Sequence, residues 1–165
     1  MILRNLEMEL IDRTFSLLGK SEKNFEISKI LNELGVSQPL PRANDDTDAL
    51  LLEDINSFLF LGFTTAETLP LTKNNLEFME GELILSSLAI QYNPEILDET
   101  LPFELDFNLK LNEVTNIYGN YDWKRDYDNA YEWTISEFKV LLVFNDDNSK
   151  LLEICYGLPQ WFHIE

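Results

Sequence analysis

Carboxylates are the most abundant reactive side chains of this chain of 165 residues, which has 30 Asp and Glu but a single His. Two groups of acids are dense enough to hold a divalent cation, because Ca²⁺ and Mg²⁺ prefer oxygen ligands. Neither follows the calcium-binding EF-hand pattern, which needs a Gly at its sixth position. Paired carboxylates also hydrolyse glycosides, but among 30 acids some pair always has a suitable spacing. The sequence therefore predicts no metal and no cofactor, and we interpret both groups as solvated or partner-facing. The first group is Asp45, Asp46 and Asp48, and the second is Asp122, Asp126, Asp128 and Glu132.

The composition argues against a nucleophilic catalytic site and against a zinc site. The only His is His163, and the only Cys is Cys155, which lies in an apolar run typical of a buried strand. A zinc site takes about four ligands, which one His and one Cys do not supply. The six Gly form no phosphate-binding GxGxxG or GxxxxGK pattern. We therefore expect a protein that is not an enzyme.

Aromatic and acidic residues alternate between positions 121 and 133, in the sequence YDWKRDYDNAYEW. In a basic context this pattern indicates base stacking, whereas in an acidic one it indicates a protein–protein surface, because Tyr and Trp are frequent interface anchors. Trp133 also fits a buried strand position, and Trp123 is open to both interpretations. We predict partner contacts here at Asp122, Trp123, Asp126, Tyr127 and Asp128.

Negative charge is distributed unevenly along the chain. Twelve Lys and Arg against 30 Asp and Glu give a net charge of −18. Residues 1–42 have six acids and six bases; residues 43–109 have 14 acids and one base, a net of −13; residues 110–165 have ten acids and five bases, a net of −5. Such charge argues against binding of nucleic acid or anionic membranes and favours a basic protein partner. We place the centre of that contact at Asp45, Asp46, Asp48, Glu53 and Asp54.

The hydrophobic pattern predicts two N-terminal helices, the first ending near Gly19 and the second capped by Ser21 or Asn24 and ended by Gly35. A proline-containing loop follows at 38–48, and then short apolar runs typical of antiparallel strands. The predicted fold class is α+β, with these two helices and one short later helix packed against an antiparallel sheet. The predicted strands are Ala49–Leu52, Phe58–Phe63, Leu83–Tyr92, Tyr131–Ile135, Lys139–Phe144 and Leu151–Tyr156, and the later helix ends at Gly119.

Length and composition are those of one domain over residues 1–165, with a neutral helical part (1–42) and an acidic, strand-rich part (43–165). No uncharged apolar run approaches the roughly 20 residues that a membrane-spanning helix needs. Acids among the first twelve residues also do not fit a signal peptide. We expect a cytoplasmic protein that is a monomer or a weak dimer.

The sequence resembles small bacterial proteins that give immunity to polymorphic or contact-dependent growth-inhibition toxins. The chain departs from that pattern at Glu104 and Asn108, where glycine is expected, and at Lys110, where a capping Ser is expected. The residues that carry the resemblance are Leu17-Leu18-Gly19-Lys20, Leu34-Gly35, the Pro39 to Arg42 stretch with Asp46-Thr47-Asp48, Gly81 before Leu83-Ile84-Leu85-Ser86, Leu101-Pro102-Phe103, Glu113-Val114 through Gly119, Trp133, Leu141 to Phe144, and Gly157-Leu158-Pro159.

The resemblance implies an antitoxin that binds and blocks one cognate secreted toxin. We expect that toxin to be a nuclease, because nucleases present basic phosphate-binding surfaces that an acidic protein can mask. The main alternative is an acidic secretion chaperone for a bacterial effector, which would expose an apolar groove for an extended segment. A DNA mimic and a carboxylate- or metal-dependent enzyme are further alternatives. Whether the contact covers an active site or adds a strand to a sheet edge stays open.

Overall fold

The fold is α+β, as the sequence predicts, in a computed structural model that describes residues 2–41, 49–53, 58–66, 78 and 81–159. Within these ranges, three α-helices accompany seven strands in one antiparallel sheet. No helix in these ranges combines the length and the apolar character that a bilayer crossing demands. The helices are α1 (Ile2–Ser16), α2 (Phe25–Glu33) and α3 (Leu111–Tyr118). The strands are β1 (Ala49–Glu53), β2 (Leu59–Thr65), β3 (Leu83–Gln91), β4 (Trp123–Lys124), β5 (Asn129–Ile135), β6 (Phe138–Phe144) and β7 (Leu151–Gly157).

Local sequence explains where the helices begin and end. The side chain of Asn24 accepts a hydrogen bond from the backbone N–H of Glu26 at 2.9 Å, so Asn24 rather than Ser21 caps α2. Gly35 follows the helix with φ of 73°, a conformation that favours glycine. The start of α3 has Lys110, whose side chain cannot cap; the Glu113 carboxylate instead accepts from the Lys110 N–H at 2.7 Å.

The sheet order is β1-β2-β3-β7-β6-β5-β4, so the strand pair β3–β7 joins the two halves of the chain. The predicted hairpin between β6 and β7 is confirmed, with Asn145 accepting backbone hydrogen bonds across its turn. A crossover of residues 93–109 and α3 connects β3 to β4. Its backbone contains two short 3₁₀ turns, Pro94–Ile96 and Pro102–Glu104.

One face of the sheet packs against the helices and the crossover. Strand alternation places large side chains on this face, among them Trp133, Tyr156 and Phe63, each almost fully buried. Burial of one such side chain contributes about 1.5–3 kcal/mol, so this face is the main core. On the opposite face a second, smaller cluster forms from Ala130, Leu141 and Cys155.

Candidate functional site

The predicted partner-binding residues fall in two places. Asp45, Asp46, Asp48 and Asp54 lie outside the described residues, and Glu53 is the last residue of β1, opposite Phe60 in the register with β2. The other five predicted residues, Asp122, Trp123, Asp126, Tyr127 and Asp128, come together on the hairpin formed by β4 and β5 at one edge of the sheet.

Backbone and side-chain hydrogen bonds fix the base of this hairpin. The Asp122 N–H donates to the carbonyl of Glu132 at 2.8 Å, and the Arg125 N–H donates to that of Ala130 at 3.0 Å. The Asp122 carboxylate accepts from the Thr134 N–H at 2.6 Å. Asp122 therefore has a structural task in ordering the strand pair, besides being exposed.

An ion pair closes the turn. The guanidinium of Arg125 donates two hydrogen bonds to the Asp128 carboxylate, at 2.8 and 2.6 Å, in the bidentate geometry that suits these two planar groups. The hydrogen bond from Arg125 is the main cause that lowers the pKa of Asp128 below its ordinary value. The same guanidinium lies 5.0 Å from the centre of the Tyr127 ring, within the range of a cation–π contact. The Arg125–Asp128 ion pair thus spans the turn that contains Tyr127, and its guanidinium contacts the Tyr127 ring.

Tyr127 is the most exposed large side chain of the hairpin, with 81% of its surface accessible. Asp126, its neighbour in the chain, is also exposed. A ring that is exposed yet held in place loses little conformational entropy when a partner covers it, which is what a binding anchor requires.

The two tryptophans have different environments. Trp133 is 2% exposed and its indole N–H donates to the Gly119 carbonyl at 3.0 Å, so its interpretation as a core residue is confirmed. Trp123 is half-buried and packs against the cluster of Ala130 and Leu141 on the face away from the helices. Tyr127 rather than Trp123 is therefore the more exposed aromatic side chain at this edge.

Two groups that could react, the Cys155 thiol and the Glu132 carboxylate, are buried away from the exposed turn of the hairpin. The thiol of Cys155 is buried, donates to a Glu153 carboxylate oxygen at 2.7 Å, and has a pKa raised well above the ordinary value by desolvation and then by Glu153. Glu132 is fully buried and lies 3.2 Å from the ammonium of Lys139. Across the described ranges, His, Cys, Asp and Glu side chains form no group of three that could hold a metal ion.

An open groove of about 470 Å³ lies between α3 and the β6–β7 turn. Its lining combines amide and hydroxyl side chains with one lysine and one leucine, and it contains no acid–base pair. The lining residues are Lys110, Leu111, Asn112, Thr115, Asn116 and Asn148.

Sequence reasoning did not single out the crossover as a functional surface. Residues 93–109 contain five acids and no Lys or Arg. Buried Ile96, Leu101 and Leu105 fix this segment to the core, whereas Glu95, Asp98 and Glu104 remain exposed. The absence of any base over 17 consecutive residues was the signal available in the sequence.

Comparison with known proteins gives a distant likeness of shape. No family model matches the chain, and no curated protein matches it. A solved structure of a DUF4309 family protein (YjgB) from Bacillus subtilis subsp. subtilis str. 168 is similar over 94% of this chain and 97% of that one, with a TM-score of 0.44 and 10% identity. This likeness bears on neither family membership nor function.

Proposed function

We propose that this protein is an immunity protein that binds a cognate secreted toxin domain and neutralises it by masking a basic active-site face. The expected toxin is a nuclease, and binding alone, without catalysis, accounts for the effect. The observation that carries the proposal is the concentration of acidic charge after residue 42, where residues 43–109 alone have a net charge of −13 from 14 acids and one base.

The exposed acids of the crossover support this proposal. Glu95, Asp98 and Glu104 are held on a segment without a single base, so their field is not cancelled locally. Complementary charge accelerates association to as much as ~10⁸–10⁹ M⁻¹s⁻¹ at low salt. An inhibitor gains from such speed, because it must capture its target before the target reaches a substrate.

The β4–β5 hairpin adds the short-range component. Tyr127 supplies an exposed aromatic ring, and Asp122 and Asp126 supply exposed carboxylates on the same hairpin. Interfaces typically concentrate their binding energy in a few aromatic or arginine side chains surrounded by polar groups. The hairpin has this composition in a geometry fixed by the Arg125–Asp128 ion pair.

Co-expression tests the function directly. The C-terminal domain of a large secreted protein encoded in the upstream reading frame is expressed with and without this chain, and growth is measured. We expect growth arrest with the domain alone, rescue by the chain, and a stable complex of the purified pair. A domain that arrests growth but is neither bound nor neutralised overturns the proposal, and so does the absence of such a secreted protein beside the gene.

Charge reversal tests where the electrostatic contact lies. Changing Asp45, Asp46 and Asp48 to Lys should slow association with that domain by on the order of tenfold and flatten its salt dependence. The matched control changes Glu9, Glu26 and Glu33 to Lys in the neutral helical part, for the same change in net charge. Equal association rates and equal salt slopes for the two triple variants would contradict the placement.

A further inference from the structure

Three partly exposed phenylalanines from distant segments meet at the end of the sheet where β5 turns into β6. Phe15 comes from α1, Phe103 from the second 3₁₀ turn of the crossover, and Phe138 from the start of β6. The ring centres of Phe15 lie 5.5 Å from Phe103 and 5.1 Å from Phe138, and the last two lie 5.9 Å apart. We call this cluster the phenylalanine triad.

Each member of the triad has an exposed acid next to it. Asp12 precedes Phe15 by three positions on α1, so the two side chains lie on one face of the helix. Adjacent in the chain, Glu104 follows Phe103, and Glu137 precedes Phe138. We call these acids the acidic rim; their residues are Asp12, Glu104 and Glu137.

The negative charge of the rim is available to a partner. No rim carboxylate makes an ion pair within the part of the chain that the structure describes. The base that follows Phe138 in the chain, Lys139, is engaged with Glu132 on the other face of the sheet. Burial, and after it the charge of Glu104, raises the pKa of Tyr118 above its ordinary value.

The turn that holds Phe103 is fixed in an unfavourable backbone conformation. Phe103 has φ of 64° and ψ of 29°, and Glu104 has φ of 57°, in the left-handed region that bulky residues avoid. Two tyrosines hold the turn: the Tyr118 hydroxyl donates to the Phe103 carbonyl, and the Tyr156 hydroxyl donates to the Pro102 carbonyl at 2.9 Å. The ring and the carboxylate are thus presented together on a rigid base.

We propose that the phenylalanine triad and its acidic rim form a second docking surface, which takes a large apolar side chain flanked by Arg or Lys on a basic protein. This inference rests on the proposed function for the identity of that protein. Partly exposed rings supply the apolar contact, and the three carboxylates around them select a cationic segment over a neutral or acidic one. The surface lies on α1, the crossover and β6, apart from the β4–β5 hairpin.

A short peptide tests the surface without the cognate protein. The probe is acetyl-Gly-Arg-Leu-Arg-Gly-amide, titrated into the ¹⁵N-labelled full-length chain at low salt while amide chemical shifts are followed. We expect saturable shifts at residues 12–15, 103–104 and 137–138. The same peptide with Gly in place of Leu, and one with Glu in place of both Arg, should bind at least about threefold more weakly, because each lacks one of the two required features. Shifts that are absent, or that spread over all exposed acids, overturn the proposal.

Paired variants separate the rim from net charge. Glu104→Gln with Glu137→Gln should weaken the probe about fivefold, since exposed charges attract a cation only modestly through solvent. The matched control is Glu26→Gln with Asp146→Asn, which removes the same charge from exposed acids elsewhere and should change affinity less than about twofold. Equal weakening by both pairs overturns the proposal. All four substitutions are at exposed side chains, and an unchanged amide spectrum of each free variant verifies the fold.

The outcome is separable from that of the proposed function. If the secreted domain is neutralised and the rim variant binds it as tightly as the control variant does, the second surface is wrong and the immunity function stands. If the probe binds the triad but no domain is neutralised, the surface stands and the proposed function is wrong.

Discussion

The β4–β5 hairpin and the phenylalanine triad both combine aromatic rings with carboxylates, yet they are built in opposite ways. The hairpin draws Arg125, Tyr127 and Asp128 from four consecutive positions, and local hydrogen bonds set its shape. The triad draws its rings from α1, the crossover and β6, and the main core supports it through Tyr156, whose ring centre is 5.2 Å from that of Phe15. The exposed turn of the hairpin at Tyr127 can therefore change at little cost to the fold, whereas the triad cannot.

Stability should separate the two regions most strongly. Phe15→Ala should lower the free energy of unfolding by about 2–4 kcal/mol, because it removes a ring in contact with three others. Tyr127→Ala should change it by less than about 0.5 kcal/mol, since its side chain is 81% exposed. Urea denaturation of both variants measures the difference, and equal losses would show that the hairpin is part of the core after all.

Binding should reverse that order. Tyr127→Ala should weaken the complex with the neutralised domain by about 2 kcal/mol, or roughly 30-fold, as expected for an aromatic anchor. Phe25→Ala is the matched control, because Phe25 is 70% exposed and also lies near a cation, Lys29, but in the neutral helical part. Isothermal titration calorimetry measures the affinity of both variants. If Phe25→Ala loses as much affinity as Tyr127→Ala, the hairpin is not part of the interface.

Backbone strain offers a smaller effect that distinguishes the triad from its surroundings. Glu104→Gly should stabilise the fold by about 1 kcal/mol, because glycine adopts a φ of 57° without the cost that Glu incurs. Asn108→Gly is the contrasting variant: Asn108 is not in the left-handed region, and its side chain donates to the Leu97 carbonyl at 3.0 Å. We expect that variant to be destabilised. Thermal unfolding measures both variants, and melting temperatures that shift in the same direction would contradict this account.

The smallest expected effect concerns the hairpin ion pair and pH. The pKa of Asp128 is lowered in the folded protein from its ordinary value of 3.8, so its contribution is complete above that value and is lost as pH falls through the lowered pKa. Both side chains are partly exposed, which limits the contribution to about 1 kcal/mol or less.

A double-mutant cycle with Arg125→Ala and Asp128→Asn isolates that contribution. The coupling free energy should be constant from pH 5 to 7 and should decline toward zero as pH falls below the ordinary Asp pKa of 3.8 and through the lowered pKa of Asp128. Coupling that persists in strong acid would mean that packing, not charge, joins the two side chains.

Local signals were enough to predict most of the secondary structure. Gly19 and Gly35 follow the first two helices. The run of Asn and Asp after Phe144 forms the turn between β6 and β7. These features depend on neighbours within about five residues, which a single sequence displays. The two-residue strand β4 was missed because two residues are too few to show a period.

Long-range pairing could not be predicted in the same way. Nothing near Ala89 or Cys155 in the sequence indicates that they face each other across β3 and β7. The triad depends on that pairing and on the path of the crossover. Its three phenylalanines are far apart in the sequence and form no pattern that predicts their contact. The same dependence explains why the hairpin residues were identified and Glu104 and Glu137 were not.

The ion pair of Glu132 and Lys139 on the face away from the helices has a consequence for strand alignment. Side chains alternate along β5, so a shift by one residue would carry Glu132 beneath the helices and turn Trp133 toward the other face. An apolar residue at position 132 would tolerate that mispairing better than a carboxylate does. The Glu132–Lys139 ion pair therefore favours the observed register of β5 with β6 over the shifted one, because the shift would bury a carboxylate against the apolar core.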